Sequence, residues 1–222
     1  MTAFFDRIAI VALLASVALT GCTGDAADAK TGTSTVTAKR RVTKASAGSI
    51  DLGAASYKPA TGSFGSPSVV SGTIRLDGAI TPDAYKVTKD QAVCGTTASG
   101  AVSQPGKTGG FGSTVVWIAD VKTGKQFPMD KRQELSSEKC VLAPRVQAAV
   151  VGTTFNVFND DKLLHRLVFL DTETRDTLTV MPFFNAGQVV ATEKLAKKSG
   201  IIEVRCVQHP WTRAYIVVFD HP

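Results

Sequence analysis

Residues 201–219 read IIEVRCVQHPWTRAYIVVF, two apolar runs on either side of Cys206-Val207-Gln208-His209-Pro210-Trp211. Each run is short and rich in β-branched residues, which is typical of a strand in a buried sheet. The segment between them would place a thiol and an imidazole three residues apart, at a strand end and in a loop stiffened by proline. This stretch therefore predicts two strands and a site where sulfur and nitrogen donors converge.

The rest of the sequence from residue 67 onward also consists of short segments that resemble strands. Further short apolar or alternating runs are separated by Gly, Pro, Asn and Asp; they lie at residues 69–76, 114–121, 146–158 (two pieces), 163–170, 177–181 and 189–192. This spacing predicts an all-β domain over residues 67–222, an antiparallel sandwich or barrel of about eight strands. Residues 193–198 could add one helical turn. No strand is followed by a glycine-rich phosphate loop.

The composition and charge exclude several classes of protein. With 222 residues, 44% hydrophobic and 20% charged, the chain is neither wholly disordered nor a polytopic membrane protein. The net charge is +6, but residues 67–222 contain eighteen Lys and Arg against fifteen Asp and Glu. The densest basic run, Lys39-Arg40-Arg41, precedes this domain. We therefore expect no nucleic-acid partner, because such a protein usually concentrates its basic residues on one element.

The N-terminal segment has the features of an export signal. Residues 8–19 are apolar except for Ser16, a run too short to span a bilayer but suited to the hydrophobic part of a signal peptide. Leu19-Thr20-Gly21-Cys22 follows and resembles the bacterial lipobox, whose Cys is lipidated and becomes the mature N-terminus. The resemblance implies a signal peptide over residues 1–21, a lipid on Cys22 and a location in the bacterial cell envelope, periplasmic or associated with the outer membrane. The alternative is an ordinary signal peptide with a chance Cys.

A flexible tether is predicted between this anchor and the domain. Residues 23–66 are mostly Ala, Gly, Ser and Thr, and their few large apolar residues show no period. Such a segment cannot bury enough surface to offset the entropy lost on ordering. We therefore assign residues 22–66 to the lipidated Cys and a disordered tether, and we expect a monomer that contacts the membrane through its lipid.

The cysteine count predicts one disulfide and one free thiol. Without Cys22, three cysteines remain, and an odd Cys in an exported protein is either a functional thiol or an intermolecular partner. Cys94 and Cys140 both lie in turn-rich segments where their side chains can meet. We predict a Cys94–Cys140 disulfide, which leaves Cys206 as the free thiol.

Cys206 and His209 need a third ligand from another strand to complete a metal site. His165 opens the strand that follows the turn Asn159-Asp160-Asp161. One thiolate and two imidazoles in a plane form a trigonal set that favours copper, whereas structural zinc would require a fourth strong ligand. The candidate ligands of one copper ion are therefore His165, Cys206 and His209. We assign His221 to the surface, Trp211 to packing beside the loop, and Asp160 and Asp161 to a turn. Met129 and Met181 could each supply a thioether, but neither has the expected position in the loop.

The order of these residues resembles the cupredoxins, the blue-copper proteins of the amicyanin and plastocyanin type. The resemblance consists of a His after an Asn/Asp turn, about forty intervening residues, and then Cys-x-x-His-Pro with an aromatic residue. The short proline-containing loop is most similar to that of amicyanin, and weaker similarities over residues 67–222 extend to exported methylamine-utilisation-like proteins. The resemblance implies a Greek-key β-sandwich, His165, Cys206 and His209 as equatorial ligands of a type 1-like copper, and single-electron transfer to a redox partner protein.

Two residues depart from the family pattern. The axial Met of cupredoxins lies three positions after the second His, where this chain has Thr212, and Arg166 replaces the Asn that follows the first His. A copper protein that lacks the axial Met is the leading hypothesis, and a copper-free binding or structural module is the alternative. We expect no enzyme activity, because no third group that would orient a catalytic Cys–His pair is identifiable.

Overall fold

The computed structural model describes residues 10–13, 52, 57–62, 71–75, 84–99, 110–119 and 121–222. The strands in these residues are numbered in chain order: β1 Ile10–Leu13, β2 Lys58–Pro59, β3 Ala84–Lys86, β4 Thr97–Ser99, β5 Val115–Ile118, β6 Thr123–Gly124, β7 Arg132–Glu138, β8 Val141–Ala143, β9 Val146–Val150, β10 Thr154–Asn159, β11 His165–Asp171, β12 Thr177–Phe183, β13 Gln188–Thr192, β14 Gly200–Cys206 and β15 Arg213–Phe219. One short helix, α1, spans Gln91–Cys94.

Two larger sheets form a β-sandwich. Their strand orders are β13-β10-β7-β8 and β12-β11-β14-β15-β9. Most neighbours are antiparallel, but β7 runs parallel to β10 and β9 runs parallel to β15. The chain repeatedly passes from one sheet to the other, for example between β8 and β9 and between β10 and β11, as Greek-key sandwiches do. The predicted all-β fold is confirmed, and because both sheets remain open, the sandwich and not the barrel describes it.

The core between the sheets follows from the two-residue period of the strands. In β11 the buried side chains include His165, Leu167 and Phe169, which share one face, and β10 contributes Phe155 and Val157 in the same way. His165 is thus the first inward-facing residue of a row that continues with the apolar Leu167 and Phe169. The sandwich therefore places this polar ring at one end of its hydrophobic core.

Two strands of the sandwich carry no clear sequence signal. β7 reads RQELSSE, and only Leu135 and Ser137 of its seven residues are fully buried. The strand forms because β10 and β8 pair with its two edges, which supplies backbone hydrogen bonds that side-chain polarity does not reveal. β8 is only three residues long, and its antiparallel pairing with β7 defines it as a strand.

Two local predictions are wrong. Residues 71–75, the described part of the predicted strand at 69–76, form no strand, although the N–H of Phe111 donates to the Ile74 carbonyl (2.8 Å). Residues 193–198 form bends and not a helical turn. The reason in the second case is burial, since Leu195 and Ala196 are packed in the core and the Ala196 carbonyl accepts the N–H of Gly152.

The described residues of the N-terminal part of the chain include two short strands and one buried leucine. β1, inside the predicted signal peptide, pairs in parallel with β5, whereas Cys22 and the lipobox-like residues before it lie outside the described residues. Within the predicted tether, β2 pairs in parallel with β6 and Leu52 is buried beside Val217 and Phe219. None of the described residues belongs to a helix long and apolar enough to cross a membrane.

Residues 84–99 form a small unit that we call the cap. In the cap, β3 and β4 pair with each other as antiparallel strands, and α1 lies between them. Val87 of the cap is fully buried in a separate cluster with Cys94, Cys140 and Trp211. The structure contains the predicted Cys94–Cys140 disulfide, which ties the cap to the β7–β8 turn.

Candidate metal centre

Strand pairing brings the free thiol close to the first histidine. Cys206 is the last residue of β14 and lies opposite Leu167 of β11, two residues along from His165. Since residues two apart face the same side of a strand, the thiol and the His165 ring point into the same end of the core. Both side chains are buried, with 3% of Cys206 and none of His165 exposed.

The loop after β14 folds back so that His209 reaches the same point. Thr212 N–H donates to the His209 carbonyl (2.8 Å), and Cys206 N–H donates to the Thr212 carbonyl (3.2 Å). Val207 N–H donates to the carbonyl of Arg166 (2.9 Å), which ties the loop to β11. Backbone hydrogen bonds thus brace the loop, and Arg166 is itself exposed.

The three predicted ligands have their donor atoms in one compact group. His165 Nδ1 lies 3.4 Å from Cys206 Sγ, His209 Nδ1 lies 3.5 Å from Cys206 Sγ, and the two Nδ1 atoms are 3.2 Å apart. Three donors bound to one ion by bonds of about 2.0–2.3 Å would be separated by roughly 3.5 Å, so this set fits a metal ion. Within the described part of the chain, no fourth His, Cys, Asp or Glu joins this group.

A carboxylate lies against the outer nitrogen of each histidine. Nε2 of His165 is 2.9 Å from Asp161 Oδ2, and Nε2 of His209 is 3.0 Å from Asp90 Oδ2. A carboxylate there holds a proton on Nε2, so that Nδ1 is the nitrogen that exchanges its hydrogen bond with the thiolate for a bond to a metal. The outer contacts therefore orient both rings with their donor atoms toward Cys206.

Asp161 has a role that the sequence analysis missed. It lies in the expected turn, but its buried carboxylate also accepts hydrogen bonds from the N–H groups of Lys139 (2.6 Å) and Cys140 (2.9 Å) and from Ser137 Oγ (3.3 Å). The sequence signal that could have revealed the contact with His165 is the spacing of four residues between Asp161 and His165. Asp90 offered none, because 119 residues separate it from His209.

The surroundings favour the ionised thiol that a metal requires. Burial raises the pKa of Cys206, but hydrogen bonds from His165 and His209, together with backbone hydrogen bonds, outweigh burial and lower the pKa to about 6. Burial lowers the pKa of His209, whereas its contacts with Cys206 and Asp90 raise it and prevail. At neutral pH the cluster therefore contains a thiolate, the form of Cys that binds metals.

Thr212, the candidate for the axial position, is engaged elsewhere. Its side chain is buried, and its hydroxyl donates to the carbonyl oxygen of Cys140. Of the two methionines considered as thioether donors, Met129 is fully exposed and Met181 packs in the main core. The Thr212 hydroxyl thus serves the β7–β8 turn, and its role as an axial donor stays a prediction.

Two further aromatic residues can now be placed. Trp211 packs beside the loop as expected, with its ring 5.3 Å from that of His209. The expectation that His221 lies on the surface is wrong, because the residue is only 8% exposed and its ring lies near the rings of Tyr57 and Phe219. Tyr57, which directly precedes β2, lies against this part of the C-terminus, a contact that local sequence cannot show.

The fold and the site together define an all-β sandwich with a buried Cys–His₂ cluster at one end. Solved structures similar to the chain include a copper(I) variant of amicyanin, with 18% identity, 41% of this chain and 85% of amicyanin covered, and a TM-score of 0.35. A copper-containing nitrite reductase from Thermus scotoductus SA-01 shows 21% identity and a TM-score of 0.36, covering 44% of this chain and 24% of the reductase. A purple cupredoxin from Nitrosopumilus maritimus shows 20% identity and a TM-score of 0.32, covering 40% of this chain and 99% of the cupredoxin. No family model and no curated protein matches the chain.

Proposed function

We propose that this chain is a lipid-anchored extracytoplasmic copper protein that transfers single electrons through a type 1-like site without an axial Met. The observation that carries the proposal is the cluster of His165 Nδ1, Cys206 Sγ and His209 Nδ1, with separations of 3.2–3.5 Å. A thiolate with two imidazoles suits copper in both of its common oxidation states.

The protein's own contribution is to bind and hold the ion. His165 and His209 would ligate it through Nδ1, and Cys206 through its thiolate. Copper held there would supply one-electron chemistry. The three side chains are almost fully buried, which excludes water, and the pairing of β11 with β14 limits how far the ligands can move. A rigid, dry ligand set requires little rearrangement when the charge of the ion changes.

The proposed location rests on the N-terminal sequence. Leu19-Thr20-Gly21-Cys22 after an apolar run supports lipidation of Cys22 and attachment to a bacterial membrane. Cys22→Ser should prevent lipidation, so that an unlipidated precursor of altered mass is no longer found in the membrane fraction. Unchanged mass and unchanged membrane association would show that Cys22 carries no lipid.

Copper loading of the purified full-length chain tests the function. We expect one tightly held copper per chain after dialysis and an intense thiolate-to-copper charge-transfer band in the visible spectrum. Cys206→Ser should abolish that band, whereas His221→Gln, which changes a buried histidine outside the cluster, should leave it intact. If the wild-type chain retains no copper, the copper-free binding or structural module replaces this proposal.

A further inference from the structure

Asp90 stands at the position of a helix cap, but its side chain does not cap the helix. Asp90 precedes α1, and its carbonyl accepts the N–H groups of Val93 (3.0 Å) and Cys94 (2.9 Å). An Asp at such a position commonly caps its own helix with its carboxylate. Here the carboxylate makes no capping bond and instead lies 3.0 Å from Nε2 of His209. The Asp90 carboxylate therefore contacts a distant histidine and does not cap its own helix.

The backbone of Asp90 must be held in place for this contact to form. Its φ and ψ angles are 54° and 31°, the left-handed region that Asp and Asn adopt more readily than other non-glycine residues. Residues in this region persist where the surrounding structure holds them. The conformation therefore indicates that the cap is constrained around Asp90.

The constraint is the attachment of the cap to the sandwich. Cys94, one helical turn after Asp90, is bonded to Cys140, and the buried Val87 packs with Trp211. Within the described residues, β3 and β4 pair only with each other and not with either large sheet. The disulfide is thus the covalent link that holds the Asp90 carboxylate over the metal centre.

His209 depends on this carboxylate for its orientation. The His209 side chain is fully buried, whereas 37% of the Asp90 side chain is exposed, so Asp90 is the outer member of the pair. The Asp90 carboxylate accepts a hydrogen bond from the N–H at His209 Nε2. Without it, a neutral imidazole could carry its proton on either nitrogen, and a proton on Nδ1 would block the donor that faces Cys206.

We propose that Asp90 is a positioning residue for His209, which holds the imidazole proton on Nε2 and presents Nδ1 to the metal, and that the Cys94–Cys140 disulfide keeps it there. This inference rests on the proposed copper function for its role, but the Asp90–His209 pairing can be tested without metal. It assigns a function to a segment that lies far from the ligands in the sequence and outside the sandwich.

The first test uses nitrogen NMR of histidine-labelled, metal-free full-length protein at a pH where the His209 ring is neutral. In the wild type we expect His209 to be the Nε2–H tautomer. Asp90→Ala should give a mixture of tautomers, whereas Asp90→Asn, whose amide oxygen can still accept a hydrogen bond from Nε2–H, should keep the wild-type signal. Asp130→Ala removes an exposed carboxylate that pairs with Arg132 and is the matched control.

The second test measures copper release from the loaded protein to a chelator. Residues that orient a metal-ligating His typically affect metal affinity by 10–100-fold. We expect about tenfold faster release for Asp90→Ala and for the Cys94→Ala/Cys140→Ala pair, with little change for Asp90→Asn or Asp130→Ala. The triple variant that combines Asp90→Ala with both Cys changes should release copper no faster than Asp90→Ala alone.

The outcomes separate this inference from the proposed function. An unchanged His209 tautomer in Asp90→Ala would overturn the positioning role, whether or not the chain binds copper. Normal copper release from the Cys94→Ala/Cys140→Ala variant would overturn the role of the disulfide. A wild-type chain that binds no copper would overturn the proposed function, and the NMR result would still decide whether Asp90 orients His209.

Discussion

Asp161 Oδ2 lies 2.9 Å from Nε2 of His165, and the Asp161 carboxylate also accepts the backbone N–H groups at the β7–β8 turn. One buried carboxylate therefore joins a candidate metal ligand to the turn that carries Cys140. Because Cys140 is bonded to Cys94 of the cap, the same turn connects the environments of both histidines.

Asp161→Asn should weaken both the metal centre and the fold. The amide has one acceptor oxygen where the carboxylate has two, so at least one of its buried donors loses its partner. We expect copper affinity to fall by about 10–100-fold and the free energy of unfolding to fall by about 1–3 kcal/mol. Metal competition and denaturant titration measure the two effects. Asp160→Asn, at the exposed neighbouring position, should change neither, and equal behaviour of the two variants would contradict the role of Asp161.

The thiol of Cys206 should titrate near pH 6 in the metal-free protein, since its pKa is lowered to about 6. Thiolate absorbance in the ultraviolet should therefore rise through a midpoint there. His165→Gln should move that midpoint upward, because it removes a hydrogen bond that favours the thiolate. A lower pH protonates the thiolate and competes with the metal, so copper affinity should fall as the pH drops below about 6. A wild-type midpoint near the ordinary thiol pKa would contradict this prediction.

Thr212→Val tests whether the hydroxyl serves the fold or the metal. The variant keeps the shape of the side chain but removes the donor to the Cys140 carbonyl, which should lower the free energy of unfolding by about 1–3 kcal/mol. The charge-transfer band of the copper-loaded protein should stay where it is. A large shift of the band in Thr212→Val would show that the hydroxyl acts as a ligand. Thr212→Met, which adds a thioether, should move the spectrum toward the ordinary blue type.

Loss of the disulfide should lower the stability of the metal-free protein. Cys94 and Cys140 are 46 residues apart, and a closed loop of that length is worth about 4 kcal/mol in the chain-entropy description. We expect the Cys94→Ala/Cys140→Ala variant to unfold at a correspondingly lower denaturant concentration. Cys206→Ala, which removes the free thiol and leaves the disulfide, is the comparison. If the two variants lose the same free energy of unfolding, the disulfide contributes no more stability than the burial of a single cysteine side chain.

The sequence by itself determined the features that depend on local pattern and residue chemistry. Alternating apolar and polar residues mark β10, and short apolar runs mark β11, β14 and β15, which is how half-buried and buried strands appear in a sequence. The short Cys206–His209 spacing and the turn before His165 identified three donors that the structure brings together. With Cys22 assigned to the lipid, three cysteines remained, and the turn-rich context of Cys94 and Cys140 identified them as the disulfide pair.

Only the tertiary structure decided the features that depend on contacts between distant segments. β7 is a strand because of its neighbours β8 and β10, while its own residues are mostly polar. The direction of the Thr212 hydroxyl follows from the β7–β8 turn that packs against it. Asp90 reaches His209 across 119 residues because the disulfide-tied cap folds over the end of the sandwich. Such contacts arise when sheets, turns and cap pack against one another, and no local periodicity or spacing encodes which side chains then meet.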